Sequence, residues 1–74
     1  MTDTKLLKEW IQNSGLKQEF IASKLGLSSY GFARKRDNLS KFDAAEISVL
    51  CDLLHIDKLE DRFAIFFAKD VDCE

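Results

Sequence analysis

The sequence has 74 residues, enough for one small domain that buries only about 60% of its unfolded surface, so its stability should be modest. Its formal net charge of −2, taken alone, argues weakly against a nucleic-acid partner. No stretch approaches the ~18 apolar residues of a membrane helix, and the N-terminus lacks the apolar run of a signal peptide. We therefore expect a single soluble domain over residues 1–74, in the cytoplasm and away from membranes, with a polar C-terminal tail at about 69–74.

The chain contains no proline, only three glycines and no strand-like alternation of apolar and polar residues, so we predict an all-α fold of five helices. The first helix is predicted over about residues 4 to 13. Its side chains Leu7, Trp10 and Ile11 are spaced to face the core, and Gly15 is expected to end it.

A helix, a glycine turn and another helix are predicted over about residues 17–36. The second helix covers residues 17 to 25 and the third about residues 29 to 36. Gly26 can take the left-handed conformation that ends a helix, and the Ser28 side chain can cap the next one. Two short helices joined by such a turn form a helix-turn-helix, whose second helix usually enters the major groove of DNA.

The fourth helix is predicted to begin near Asp43, an N-cap whose third-position partner is Glu46. In the loop before it, Asn38 is expected to adopt a positive φ. The core positions of this helix are Ile47, Leu50, Cys51 and Leu54. Because Cys51 lies on this apolar face and Cys73 lies in the polar tail, we expect two free thiols rather than a disulfide.

The fifth helix follows Asp57, and four of its large side chains are predicted to form one inward stripe: Leu59, Phe63, Phe66 and Phe67. This pattern leaves Ile65 on the opposite, outer side. Val49 and Leu53 likewise fall off the main apolar stripe of the fourth helix. We therefore predict a protein-interface patch of Val49, Leu53 and Ile65 that joins two copies of the chain or binds another protein. The alternative is scattered apolar surface residues, which are normal.

The predicted helix-turn-helix resembles that of the lambda-repressor-like (Cro/C1, XRE) family. The residues that carry the resemblance are Leu16, Gln18, Ile21, Ala22, Leu25, Gly26, Leu27, Ser28 and Phe32. A weaker match continues through Phe42, Glu46, Ile47, Leu54, His55, Ile56, Phe66 and Phe67. The similarity covers residues 5–68 and looks like the small regulators encoded by phages of Gram-positive bacteria. It implies a compact five-helix, lambda-repressor-like DNA-binding domain that acts in the cytoplasm of a bacterial host cell.

Charge is divided unequally along the chain. Residues 1–41 contain eight Lys and Arg against four Asp and Glu, whereas residues 42–74 contain three against nine. The positive charge therefore lies in the same part of the chain as the predicted helix-turn-helix. A protein that binds a polyanion through one face requires such a distribution. The alternative is two solvated faces without a partner.

Helical geometry predicts which side chains of the third helix read DNA bases. With Phe32 in the core, Tyr30 and Arg34 lie about 160° to either side of it and four residues apart, on the outer face. Arg34 can donate two hydrogen bonds to guanine O6 and N7, and Tyr30 can stack on a sugar or contact a thymine methyl group. Ser29 can bond a base edge or a phosphate. The alternative is an ordinary solvated helix surface.

Six further side chains are candidates for phosphate contacts: Lys17, Gln18, Ser28, Lys35, Arg36 and Lys41. By the resemblance, Gln18 bonds a phosphate while bracing the first residues of the third helix. Arg36 lies only about 40° from Phe32 on the helix, so its stem is expected to cover the core while its head reaches solvent. The competing interpretation is a charged, solvated surface.

The sequence predicts no enzyme, cofactor, metal site or small-molecule substrate. The single histidine, His55, ends the fourth helix, and together with Cys51 it supplies only two of the four ligands of a structural zinc site. No glycine-rich phosphate loop or nucleophile motif is present.

Two functions therefore remain open. One is a Cro-like transcriptional regulator of phage or prophage origin that binds operator DNA through the third helix, with homodimer formation possible. The other is a phage antirepressor that uses the same scaffold to bind a partner repressor protein and alter its DNA binding.

Overall fold

The computed structural model describes residues 1–68, and in that range the chain forms five α-helices and no strand. The helices are α1 (Thr4–Ser14), α2 (Gln18–Lys24), α3 (Ser29–Arg36), α4 (Ala44–Leu54) and α5 (Leu59–Phe66). The predicted all-α fold is confirmed, and each predicted helix is present. The expected tail at about 69–74, with Cys73, lies outside the described residues.

The ends of α1 and α4 are fixed by capping groups close to them in sequence. Gly15 ends α1 with a φ of 75°, as predicted. At the start of α4, the Glu46 N–H donates to the Asp43 carboxylate at 2.7 Å, and the Asp43 N–H donates back to the Glu46 carboxylate at 3.0 Å. This reciprocal pair is a complete capping box, so the predicted start of α4 is confirmed. His55 ends the same helix with a φ of 58°.

The turn between α2 and α3 has the predicted local chemistry. Gly26 adopts a φ of 75°, and the Leu27 N–H donates to the Ala22 carbonyl at 2.9 Å. The Ser28 hydroxyl then accepts the Gly31 N–H at 3.0 Å and caps α3. A Cβ at position 31 would lie 3.2 Å from this hydroxyl, so glycine leaves room for the cap. The helix, turn and helix over residues 17–36 therefore occur in the predicted order.

The core is built around Phe32 of α3, which is fully buried. Phe42 packs edge-to-face against it with ring centroids 6.1 Å apart, and Phe66 packs on Phe42 at 5.7 Å. The remaining buried apolar residues are Leu7, Ile11, Ile21, Ala22, Leu50, Cys51, Leu54, Ile56 and Ile65. Trp10, predicted to face the core, lies half-buried against it.

The loop between α3 and α4 is tied to the N-terminal segment. Asn38 adopts the predicted positive φ, at 68°. Its side-chain oxygen accepts the Thr2 N–H at 2.9 Å, and its amide nitrogen donates to the Thr2 carbonyl at 2.6 Å. These two hydrogen bonds connect residues that are 36 positions apart in the sequence, and they fix the loop that follows α3.

The predicted orientation of α5 is wrong for three of its four stripe residues. Ile65, expected on the outside, is fully buried, and Phe66 is buried as predicted. The side chains expected inside are instead exposed: Leu59 by 78%, Phe63 by 63% and Phe67 by 54%. Since Phe63 and Ile65 lie about 160° apart on a helix, only one of them can face the core.

The N-terminal segment selects this rotation of α5. The Asp3 N–H donates to the Ile65 carbonyl at 2.7 Å, and the Ala68 N–H donates to the Met1 carbonyl at 3.0 Å. On α5 itself, Arg62 donates through Nε to the Ile56 carbonyl at 2.6 Å. These contacts place the Ile65 side of the helix inward. The predicted patch of Val49, Leu53 and Ile65 is therefore not formed.

The other two members of that patch differ from each other in exposure. Val49 is exposed, whereas Leu53 is half-buried against the core. Among residues 1–68, no helix combines the length and the apolar composition that crossing a bilayer requires.

We predict that Ile65→Ala lowers the free energy of unfolding by about 2–5 kcal/mol, because it leaves a cavity in the core, and that Ile65→Val lowers it by about 0.5–1.5 kcal/mol. Leu59→Ala, at an exposed position of the same helix, should change it by less than about 0.5 kcal/mol. Urea unfolding of dilute protein, followed by circular dichroism, measures all three. A larger loss for Leu59→Ala than for Ile65→Ala would contradict this orientation of α5.

Candidate nucleic-acid interface on α2 and α3

Two of the three predicted base-reading residues, Tyr30 and Arg34, lie together on the outer side of α3, and Ser29 is the first residue of the helix. Ser29 is exposed, Tyr30 is 72% exposed, and Arg34 is half-buried. The Arg34 guanidinium carbon lies 6.0 Å from the centroid of the Tyr30 ring, at the limit of a cation–π contact. The predicted neighbour relation between Tyr30 and Arg34 is thus present.

Arg34 is also held from the other side by the loop that follows α3. Its Nε donates to the Ser40 hydroxyl at 3.3 Å, and its Nη2 donates to the Leu39 carbonyl at 3.2 Å. A guanidinium has five N–H donors, so three remain for an external acceptor. The loop therefore restricts the rotamers of Arg34 without using all of its N–H donors.

Lys35, a predicted phosphate contact, is bound within the molecule instead. Its Nζ donates to both carboxylate oxygens of Glu46, at 2.6 and 2.8 Å. Both side chains are largely buried, with 19% of Lys35 and 13% of Glu46 exposed. Because Glu46 also caps α4, this ion pair joins the end of α3 to the start of α4.

Arg36, another predicted phosphate contact, is bound in the same way. It makes a two-pronged contact with Asp37, with Nε–Oδ1 and Nη2–Oδ2 distances of 2.9 Å. Its Nη1 donates to the Gln18 side-chain oxygen at 2.5 Å. The hydrogen bond with Asp37 raises the pKa of Arg36, and the same bond lowers the pKa of Asp37.

These contacts change the expected role of Gln18. The resemblance implies that it braces the first residues of the third helix, but the structure joins it to Arg36, the last residue of α3. The head of Arg36 binds two side chains of the protein itself, and 18% of the Arg36 side chain is exposed. The guanidinium turns toward Asp37 and Gln18 because both offer acceptors beside its stem.

The other phosphate candidates remain at the surface. Lys17 is exposed at the N-cap of α2, and Lys41 is exposed in the loop before α4. Ser28 is exposed, but its oxygen already caps α3. Within residues 1–68, the recorded salt bridges involve Lys8, Lys35 and Arg36 as the cations.

Sequence reasoning missed a second pair of an aromatic and a cation, which lies on α2. Lys24, exposed at the end of α2, places its Nζ 5.3 Å from the ring centroid of the exposed Phe20. The spacing of four residues, with Ile21 and Ala22 buried, was the available signal. Each helix of the pair thus presents one aromatic ring beside one cation. We define the α2–α3 face as Lys17, Phe20, Lys24, Ser29, Tyr30, Arg34 and Lys41.

The described residues include no group of three or more His, Cys, Asp or Glu side chains placed to hold a metal ion. Cys51 is a buried free thiol, and burial raises its pKa. A cavity of about 310 Å³ opens between the ends of α1 and α4, away from the residues of the α2–α3 face. Its lining comprises Trp10, Asn13, Ser14, Leu16, Leu53, Leu54 and His55.

We predict that the Arg36–Asp37 contact makes the free energy of unfolding depend on pH in the acid range. Because folding lowers the pKa of Asp37, the contact stabilises the protein above the ordinary value of 3.8 and is lost as the pH falls through the lower, folded-state value. Asp37→Asn should therefore reduce the free energy of unfolding at neutral pH, and this deficit should shrink at strongly acid pH. Urea titrations at several pH values measure it, with Asp52→Asn on the exposed side of α4 as the control. A deficit that stays constant with pH would refute the prediction.

No protein-family model, curated protein or solved structure matches this chain. The chemistry of the α2–α3 face is therefore the basis on which its function is proposed.

Proposed function

We propose that this chain is a Cro-like transcriptional regulator of phage or prophage origin that binds operator DNA through α3. The observation that supports this most strongly is the state of Arg34. It is the cation of α3 that has no carboxylate partner among residues 1–68, and it lies beside an exposed tyrosine on the outer side of the helix. A guanidinium that retains three N–H donors can make the bidentate contact with guanine O6 and N7.

The anchoring of Arg34 by the loop favours such a contact. A long side chain loses rotamer entropy when it binds, and a side chain that is already restricted loses less. The hydrogen bonds to Leu39 and Ser40 provide that restriction. Tyr30 lies on the same outer side, where its ring can contact a thymine methyl or a sugar, and Ser29 is exposed at the start of α3, where its hydroxyl can bond a phosphate.

Three cations of the α2–α3 face are available for DNA phosphates in this proposal, because Arg34 is assigned to guanine: Lys17, Lys24 and Lys41. Lys35 and Arg36 are excluded because Glu46 and Asp37 neutralise them. Three phosphate contacts correspond to a slope of about −2.7 in a plot of log K against log salt concentration.

The test uses binding sequences selected from a pool of random DNA duplexes. Arg34→Lys keeps the charge but loses the planar fork, so it should reduce discrimination between selected and scrambled duplexes by about 1–3 kcal/mol. Fluorescence anisotropy at several salt concentrations measures both affinity and slope. The matched control is Arg62→Lys on α5, because Arg62 is likewise anchored through Nε, to the Ile56 carbonyl.

One result would refute DNA as the target, and a second would refute the role of Arg34 on α3. One is a wild-type protein that yields no enriched sequence and no salt-dependent affinity. The other is equal loss of discrimination in Arg34→Lys and Arg62→Lys, which would trace the effect to general packing rather than to α3.

A second function is favoured by the two exposed aromatic rings of the α2–α3 face. Phe20 and Tyr30 lie in solvent on adjacent helices, and aromatic side chains are enriched where proteins contact each other. Phe20 has no evident use in reading DNA. An antirepressor that binds a partner repressor protein through this face would use both rings, and it would not need Lys35 or Arg36 as free cations.

Phe20→Ala distinguishes these two functions. If the target is a repressor protein, this variant should lose co-elution with the repressor encoded beside it, by at least tenfold in affinity for a central aromatic contact. If the target is DNA, duplex binding should change little. Val49→Ala on α4 is the control, since it removes an exposed apolar side chain outside the α2–α3 face. Full retention of repressor binding in Phe20→Ala would eliminate the antirepressor alternative at this face.

A further inference from the structure

The turn that ends α3 binds Arg34 through both its backbone and its side chain. The Arg34 carbonyl accepts the Leu39 N–H at 2.8 Å and the Ser40 N–H at 3.3 Å. The Arg34 guanidinium in turn donates to the Leu39 carbonyl at 3.2 Å and to the Ser40 hydroxyl at 3.3 Å. The same two loop residues therefore bind both ends of Arg34, so the direction of its guanidinium depends on where this loop lies.

Asn38 sets the backbone geometry of the turn. It has a φ of 68°, and its N–H donates to the Lys35 carbonyl at 3.3 Å, while the next N–H, of Leu39, reaches Arg34. This pair of bonds around one left-handed residue is a Schellman motif, in which that residue is usually glycine. Because glycine adopts a positive φ without steric cost, the backbone of the turn does not require the asparagine side chain.

The Asn38 side chain instead makes the contact with the N-terminal segment. Its oxygen accepts the Thr2 N–H at 2.9 Å, and its Nδ2 donates to the Thr2 carbonyl at 2.6 Å. Thr2 is buried, and the neighbouring Asp3 N–H donates to the Ile65 carbonyl of α5 at 2.7 Å. The turn after α3 is therefore attached, through one side chain, to a segment that is itself bound to α5.

The loop has no other hydrogen-bonded attachment of this kind. Among residues 1–68, the hydrogen bonds recorded for residues 38–42 reach only α3 and Thr2. Packing begins again at Phe42, whose ring lies against Phe32. Leu39 is 63% exposed, so its side chain does not anchor the loop in the core. The bonds of Asn38 to Thr2 are thus what restrains the residues that bind the Arg34 guanidinium.

We propose that Asn38 is a positioning residue, which fixes the direction of the Arg34 guanidinium through Leu39 and Ser40. Its consequence for DNA rests on the proposed function. A guanidinium that is already restricted loses less rotamer entropy when it binds guanine. Asn38 would then set how strongly the protein discriminates between DNA sequences, although its own amide is bonded to Thr2.

Nuclear magnetic resonance of the Arg34 side chain tests the positioning without DNA. In the wild type, the Arg34 Nε–H should be rigid on the nanosecond timescale and protected from exchange with water. Asn38→Gly keeps the positive φ but removes both bonds to Thr2, so the same Nε–H should become mobile and exchange faster. The Nε–H of Arg62, which donates to the Ile56 carbonyl, is the reference within each sample and should not change.

His55→Gly is the matched control variant. His55 is the other non-glycine residue with a positive φ among residues 1–68, at 58°, and its side chain is exposed at the end of α4. The substitution therefore adds the same backbone freedom to the unfolded chain but leaves the bonds between Asn38 and Thr2 in place. It should leave the Arg34 Nε–H unchanged, with far-UV circular dichroism confirming the fold of every variant.

Affinities for selected and scrambled duplexes give a second readout. Asn38→Gly should reduce the ratio of the two affinities by about two- to tenfold, the cost of immobilising one long side chain. The salt slope should not change, because no charge is removed. A variant that was only less stable would lower both affinities by the same factor and leave their ratio intact.

Asn38→Asp supplies the test if Asn38→Gly does not fold. It keeps the acceptor for the Thr2 N–H but replaces the donor that binds the Thr2 carbonyl, so it should change both readouts in the same direction.

The proposal is overturned if the Arg34 Nε–H is as rigid in the folded Asn38 variants as in the wild type, or if His55→Gly mobilises it equally. It is also overturned by sequence-selective binding whose affinity ratio is the same in the wild type and the Asn38 variants. A wild type without sequence-selective binding would refute the proposed function alone, since the Nε–H measurement still decides the role of Asn38.

Discussion

The ion pair between Lys35 and Glu46 joins the end of α3 to the start of α4. Both oxygens of one carboxylate bind one ammonium group, in a setting where less than a fifth of either side chain is exposed. Hydrogen bonds to charged groups contribute about 1.5–3 kcal/mol to stability, a large part of what a domain of this size has. Because Glu46 simultaneously caps α4, the pair links the last turn of α3 to the first turn of α4, and Phe32 of α3 packs edge-to-face on Phe42, which precedes α4. The outer side of α3 is therefore presented by a fixed helix rather than by a mobile one.

The features that sequence reasoning predicted are those determined within a few residues. Gly15, Gly26 and Asn38 took the positive φ values expected of them, and Asp43 formed its capping box with Glu46 three residues away. Each depends on a backbone conformation or on a hydrogen bond inside one turn of chain. The helix pattern was predictable for the same reason.

The features that it could not predict depend on partners distant in the sequence. Lys35 and Arg36 were read as solvent-facing cations, but their acceptors include groups 11 and 18 residues away, on Glu46 and Gln18. The rotation of α5 about its axis was predicted wrongly because the side with more large apolar residues, which includes Phe63 and Phe67, was assigned to the core. Contacts with the first three residues of the chain instead bury Ile65. Only the contact between Arg36 and Asp37, which are adjacent in the sequence, has a local signal.

The internal pairing of cations also bears on how a chain of net charge −2 can approach a polyanion. The acidic residues Glu46 and Asp37 are neutralised by α3 itself, while exposed acids such as Asp52 and Glu60 lie on α4 and α5. At physiological ionic strength, charges are screened over about 8 Å, so acids on another part of the surface repel a bound phosphate only weakly. What a DNA target would meet is the cations of the α2–α3 face together with the exposed Glu19 in the first turn of α2. The separation of charge between the two parts of the chain would then orient the molecule during approach, with the acidic helices directed away from the polyanion.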